Sequence, residues 1–278
     1  MRKAIFGVLF VAAVVTGCER VPISNRKQLI LVPNNEMLGL SFNQYQQFLD
    51  TNRVIRGGAD AEMVNRVGNR IRGAVESYMN TNGYSKRLEG FKWEYHLVQS
   101  PQVNAWCMPG GKIVVYSGIL PYTQNEAGLA TVLGHEVSHA IAEHGNERMS
   151  EGLIENGLLQ AGQLFTAVGT SGRSLQTQAI FQNAFGVVGP LALQYGRVLP
   201  HSRAQESEAD HLGLIFMAIA GYNPNDALAF WGRMAQASKG KAPAEFLSDH
   251  PSDQRRIADL QKLLPEAQKY YNQSRRNS

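Results

Sequence analysis

The sequence predicts an α+β chain, mainly α-helical, with a small β-sheet and hairpin just before its most apolar helix. Three observations predict it. Phe91, Trp93, Tyr95 and Leu97 alternate with Lys92, Glu94 and His96, which is the period of a half-buried strand. Pro109-Gly110-Gly111 separates residues 103–108 from residues 112–116, so the two runs read as a hairpin. Elsewhere apolar residues recur at helical spacing, as in Met63, Val67, Ile71, Val75 and Tyr78.

At 278 residues, 44% hydrophobic and 18% charged, the chain can bury a substantial core as one main domain. The formal charge of +4 is dispersed, with Arg66, Arg70 and Arg72 lying near Glu62 and Glu76. No basic stripe results, so nucleic acid is not an expected partner.

Met1-Arg2-Lys3 is a basic start, residues 4–15 are an apolar run too short to cross a bilayer, and Val15-Thr16-Gly17-Cys18 follows. That ending resembles the lipobox of bacterial lipoproteins. Residues 1–17 are therefore expected to be a signal peptide, Cys18 the lipidated N-terminus and membrane attachment, 18–34 a tether and 35–278 the folded domain. Glu19 follows the cysteine where an aspartate would signal inner-membrane retention, so the expectation is the outer membrane of a Gram-negative-type envelope, facing the periplasm. With Cys18 modified, only Cys107 remains, which excludes an internal disulfide and makes Cys107 a small apolar core residue.

Taken in order, residues 28–32 read as a short strand ended by Pro33, and residues 35–49 and 59–79 as helices packed by their apolar stripes. The polar side of the next strand makes His96 a surface residue. The hairpin that follows is the expected substrate contact, through Asn104, Ala105 and Trp106, because a free strand edge binds extended peptide through main-chain hydrogen bonds. Thr123 and Glu126 have capping-box spacing before the helix at 127–142, which His144 and Gly145 close. Ile154, Leu158, Ala161, Phe165 and Val168 form one helical stripe, and Ile180, Ala184, Val187, Leu191 and Tyr195 a second. Polar residues interrupt both, so they read as a helical hairpin over 150–199 that roofs the cleft rather than as membrane spans. Helices follow at 202–220 and 225–237, and a last one starts near His250-Pro251-Ser252. There is neither an internal repeat nor a Gly-x-x-x-x-Gly-Lys-Ser/Thr loop, so ATP-driven unfolding is not indicated.

The helix at 127–142 carries His135-Glu136-Val137-Ser138-His139. His135 and His139 share a face one turn apart and can bind one metal, while Glu136 beside them can take a proton from an activated water and pass it to a leaving amine. Such a pattern arises by chance on the order of 1% of the time in a chain of this length, so its place inside a helix matters. A catalytic zinc, one per chain, needs a third protein ligand. Ten residues after His135 stands Gly145, and His144 is out of register. The best source is Glu206-Ser207-Glu208-Ala209-Asp210. There Glu206 and Asp210 share a helix face while Glu208 points away, which makes Glu206 the ligand and Asp210 the acceptor that orients a ligand histidine.

His135 to His139, residues 203–210 as Arg-x-x-Glu-x-Glu-Ala-Asp, the 104–118 hairpin and Asp249-His250-Pro251 with Arg255 resemble zinc metalloendopeptidases of the CAAX prenyl protease/HtpX/Oma1 type, closest to the periplasmic lipoprotein branch. The resemblance implies a zincin-like fold of the gluzincin type over residues 35–278, with zinc on His135, His139 and Glu206, and Glu136 as base. It also draws attention to His250, which either stabilises the oxyanion or occupies the open zinc position at rest. The expected function is a membrane-anchored, ATP-independent endopeptidase acting on unfolded or misassembled envelope proteins. The alternative is an envelope chaperone or assembly factor with a structural or vestigial zinc site.

Overall fold

The computed structural model describes residues 18–155, 202–237, 246, 250 and 254–276. The signal segment expected at 1–17 and the expected helical hairpin from residue 156 onward lie outside these residues. Among the described residues the chain runs β1 (Cys18–Arg20), β2 (Lys27–Leu29), α1 (Asn34–Thr51), β3 (Val54–Ile55), α2 (Ala59–Thr81), β4 (Glu94–Val98), β5 (Ala105–Met108), β6 (Lys112–Tyr116), α3 (Leu120–Thr123), α4 (Glu126–Ile141), α5 (His144–Glu155), α6 (Arg203–Ile219), α7 (Asn225–Ala237) and α8 (Gln254–Arg276). This is the mainly helical α+β architecture that the periodicities predict.

The sheet has the order β3-β4-β6-β5, with β4 parallel to β6 and β5 antiparallel to it. The hairpin of β5 and β6 forms as expected, its turn using Gly110 and Gly111 at φ 86° and 78°, which residues with a Cβ rarely adopt. β6 is buried along its whole length, and β5 is left at the edge. One face of the sheet packs with α2, α4, α6 and α7 into the main core. On the other face Tyr45 and Phe48 of α1 cover Trp106, Met108, Val114 and Tyr116. His96 is not a surface residue: its Nδ1 lies 2.6 Å from the Tyr45 hydroxyl.

α4 is buried from Gly128 to Ile141 and crosses the middle of the molecule. Its N-cap is Asn125, whose side chain accepts from the Gly128 N–H, and not the expected Thr123, which ends α3. It ends at Ile141, so His144 does not close α4 but opens α5. α6 begins with a complete capping box, Ser202 with Gln205. The two helices touch where glycine faces glycine: a Cβ on Gly213 would stand 2.9 Å from the His135 nitrogen, and one on Gly134 would stand 2.8 Å from the Gly213 carbonyl oxygen. The N-terminal residues expected as a tether pack on the body. β1 pairs with β2, Val21 is fully buried, and Arg26 reaches Glu147 on α5 and Glu208 on α6.

Candidate active site

The glycine contact brings the first turns of α6 beside the last turns of α4, and four donors meet there. His135 Nε2 is 3.1 Å from His139 Nε2, and the Glu206 carboxylate oxygens lie 3.5 Å from the first and 3.4 Å from the second. His250 Nδ1 completes the group, 3.1 Å from His135 Nε2 and 2.9 Å from Glu206 Oε1. All four residues are buried, and one ligand atom from each lies within 4.8 Å of every other. Ligands 2.0–2.1 Å from one tetrahedral ion stand about 3.3 Å apart. The spacing and the donor chemistry therefore fit a divalent metal, and these residues could hold it.

His135 and His139 each have a partner on the ring nitrogen remote from the cluster. His135 Nδ1 is 3.0 Å from Asp210 Oδ1, the acceptor the sequence indicates. Arg256 grips Asp210 through two hydrogen bonds of 2.7 and 2.8 Å, lies 3.1 Å from Glu206 Oε2 and stacks over the Trp231 ring at 3.5 Å. The arginine grouped with His250 in the sequence was Arg255, but that side chain is 73% exposed and the buried partner is Arg256. His139 Nδ1 is 2.9 Å from His144 Nδ1, and His144 Nε2 is 3.0 Å from Glu208 Oε2. Glu208 does not point into solvent, and His144 is part of the site. Neither contact follows from the sequence, which offers His144 as the close of a helix and Glu208 as facing away from Glu206 and Asp210.

The electrostatics follow from burial and charge. Burial alone pushes the Glu206 carboxyl up, but the charge of His250 and the bond and charge of His135 hold it well below the usual carboxylate range. Burial likewise opposes ionisation of Asp210, and Arg256 with His135 overcomes it. For His139, burial drives the pKa well below its ordinary value, leaving a neutral ring whose lone pair is available to a metal. His135 is pulled down by burial and more than restored by Asp210 and Glu206.

Glu136 is buried on the same turn as the ligands, 3.4 Å from His250 Nε2. Glu136, His139 and His250 line a cleft of about 80 Å³ shared with Ala105, Cys107 and Met108. The Tyr116 N–H donates to the Asn104 carbonyl, so by alternation the main-chain groups of Ala105 and Cys107 point to the free edge of β5. Asn104 Oδ1 already accepts from the Ala105 N–H. Of the three expected substrate contacts, Asn104 and Ala105 therefore sit at the edge. The Trp106 side chain turns the other way, its indole 5.0 Å from the Phe48 ring. Cys107 is partly buried, packed against the main core and also lining the cleft. Phe246 donates its N–H to the Val103 carbonyl and lies 4.8 Å, ring to ring, from His250, tying the His250 segment to the end of this edge.

Known proteins are similar to this chain in sequence. Residues 66–264 match the model of Peptidase family M48. The mitochondrial metalloendopeptidase OMA1 of Schizosaccharomyces pombe is 34% identical over 95% of this chain and 72% of its own length, and that of Saccharomyces cerevisiae is 31% identical over 93% and 72%. The beta-barrel assembly-enhancing protease of Yersinia pestis is 30% identical over 71% of this chain and 37% of its own length. The mitochondrial relatives overturn the expected outer-membrane, periplasm-facing location, because the N-terminal pattern that suggested it stands on a chain whose near full-length matches are mitochondrial. With a buried cluster that could hold a metal, a carboxylate beside it and this match over most of the chain, the protein is a metalloendopeptidase belonging to peptidase family M48.

Proposed function

We propose that the chain is an ATP-independent zinc endopeptidase that hydrolyses peptide bonds in misfolded or misassembled proteins, with zinc on His135, His139 and Glu206 and with Glu136 as the base. The observation that carries this reading is the four-donor cluster with Glu136 one residue from a ligand. When bound, zinc supplies a Lewis acid that polarises water and the scissile carbonyl. The residues supply the rest. Glu136 takes the proton of the attacking water and delivers it to the leaving amine. Ala105 and Cys107 hold the substrate main chain extended along β5, which suits unfolded segments and reads little sequence. His250 stands among the donors, 2.9 Å from Glu206 Oε1, so a metal held there would have His250 beside it and substrate would have to displace that ring. The name of the Yersinia pestis relative supports a role in protein assembly. A vestigial site is disfavoured by Glu136, since a structural metal needs no base.

The test is metal analysis with casein-type proteolysis for the wild type, Glu136→Gln and Glu206→Ala. Glu136→Gln is expected to keep its zinc and lose proteolysis by 10²-fold or more, the scale of general-base contributions. Glu206→Ala is expected to lose both. Full turnover by Glu136→Gln rejects the mechanism.

A further inference from the structure

We propose that His144, Glu208 and Arg26 form a positioning arm that orients the ligand His139, so that the N-terminal hairpin is part of the metal centre. The proposal rests on the zinc reading above. It starts from proton placement. His139 presents Nε2 to the cluster, 3.1 Å from His135 Nε2, so that nitrogen must carry the lone pair and Nδ1 the proton. Nδ1–H then donates to His144 Nδ1 at 2.9 Å. His144 must in turn carry its proton on Nε2, which donates to Glu208 Oε2 at 3.0 Å. Glu208 is held as a carboxylate by Arg26, whose Nε and second terminal nitrogen lie 2.8 and 3.0 Å from its two oxygens, and by the Ser24 hydroxyl at 2.6 Å.

Every donor and acceptor along this path has one consistent assignment, ending on a guanidinium–carboxylate pair. The other ligand histidine ends the same way, with His135 on Asp210 and Asp210 on Arg256. The two arms differ in length. For His139 a second imidazole spans the gap, and the terminal arginine comes from the turn between β1 and β2, at sequence separations of 121 from Glu147 and 182 from Glu208. The same Arg26 ties Glu147 of α5, and Gln205 bonds Glu147 at 2.7 Å, so one turn fixes α5 and α6 together behind His139.

The experiment measures zinc affinity of the full-length protein by chelator competition, the visible spectrum of its cobalt(II) form, and melting of the metal-free protein. The variants are His144→Phe, His144→Asn and Glu208→Gln. His144→Phe, which removes the Nδ1 acceptor 2.9 Å from His139 Nδ1, is expected to weaken zinc about 10- to 100-fold and to change the cobalt spectrum. His144→Asn puts an amide oxygen near the place of Nδ1 and should recover most of the affinity. Glu208→Gln should give a smaller loss with unaltered metal-free melting, and it decides the matter if His144→Phe fails to fold. Wild-type affinity and spectrum in both His144→Phe and Glu208→Gln, with tight binding by the wild type, overturn this proposal alone. A wild type that binds no metal overturns it together with the peptidase reading.

Discussion

Glu143 occupies a left-handed conformation, φ 57°, in the two-residue break between α4 and α5. Burial raises its carboxyl from 4.5 to about 7, with the Arg87 cation opposing and the neighbouring Glu19 reinforcing the rise. A carboxyl raised in the fold favours the protonated native state. Its contribution is therefore intact below pH 4.5, declines as pH rises through 7 and levels off above it, over a range on the order of 3 kcal/mol. Glu143→Gln removes this slope, so the stability of the variant relative to wild type should grow between pH 4.5 and 8, measured by urea unfolding of metal-free protein. Parallel slopes would show the carboxyl ionised in the fold throughout. At this scale two pairs are legible in the sequence, His135 with His139 and Glu206 with Asp210, because helical periodicity puts the members of each one turn apart. His144 is not, because its return to His139 depends on the break at Glu143, which no periodicity announces. Arg256 is missed for a similar reason: it differs from Arg255 by one position, and only the rotation of α8 decides which guanidinium is buried.

Helices α4 and α6 supply three of the four donors, and their approach is set by Gly134 against Gly213. A methyl group at 213 would meet the backbone nitrogen of His135 at 2.9 Å and the Gly134 carbonyl carbon at 3.0 Å, and neither can move without moving α4. Gly213→Ala is therefore expected to cost about 1–3 kcal/mol as overpacking and to weaken metal binding, because the helices carrying His135 and Glu206 are pushed apart. Gly73→Ala is the control: it lies exposed within α2, a Cβ there meets nothing within 4 Å, and about 0.5–1 kcal/mol of stabilisation follows from helix propensity. Thermal melts with chelator competition separate the two, and an unchanged zinc affinity in Gly213→Ala would detach the site from the helix crossing. The elements themselves were readable, since α2, α4, α6 and α7 carry apolar residues at helical spacing, although both ends of α4 were misplaced. The parallel pairing of β4 with β6 was not: alternation gives a strand its face, but its neighbours depend on where the chain crosses.

Over the whole molecule, the site unites residues 71 apart in sequence for His135 and Glu206, and 44 apart for Glu206 and His250. No local pattern encodes such a convergence, which is why the third ligand had to be argued by elimination and by resemblance. Without a cation the fold confines three imidazoles and a carboxylate with ring nitrogens 3.1 Å apart, where facing nitrogens must share a proton or else repel. Folding and metal binding are therefore linked. At free zinc a thousandfold above Kd the linkage contributes about 4.1 kcal/mol. For a chain of 278 residues, whose unfolding entropy is about 0.6 kcal/mol/K, that is worth roughly 7 °C of melting temperature. Dialysis against a chelator should lower the transition by that amount and zinc should restore it, whereas Glu206→Ala should melt near the metal-free temperature and ignore added zinc. A wild type whose transition does not respond to chelation would mean that the four donors hold their geometry unaided, and the buried charge of Arg256 on Glu206 and Asp210, not an ion, would then be what closes the centre.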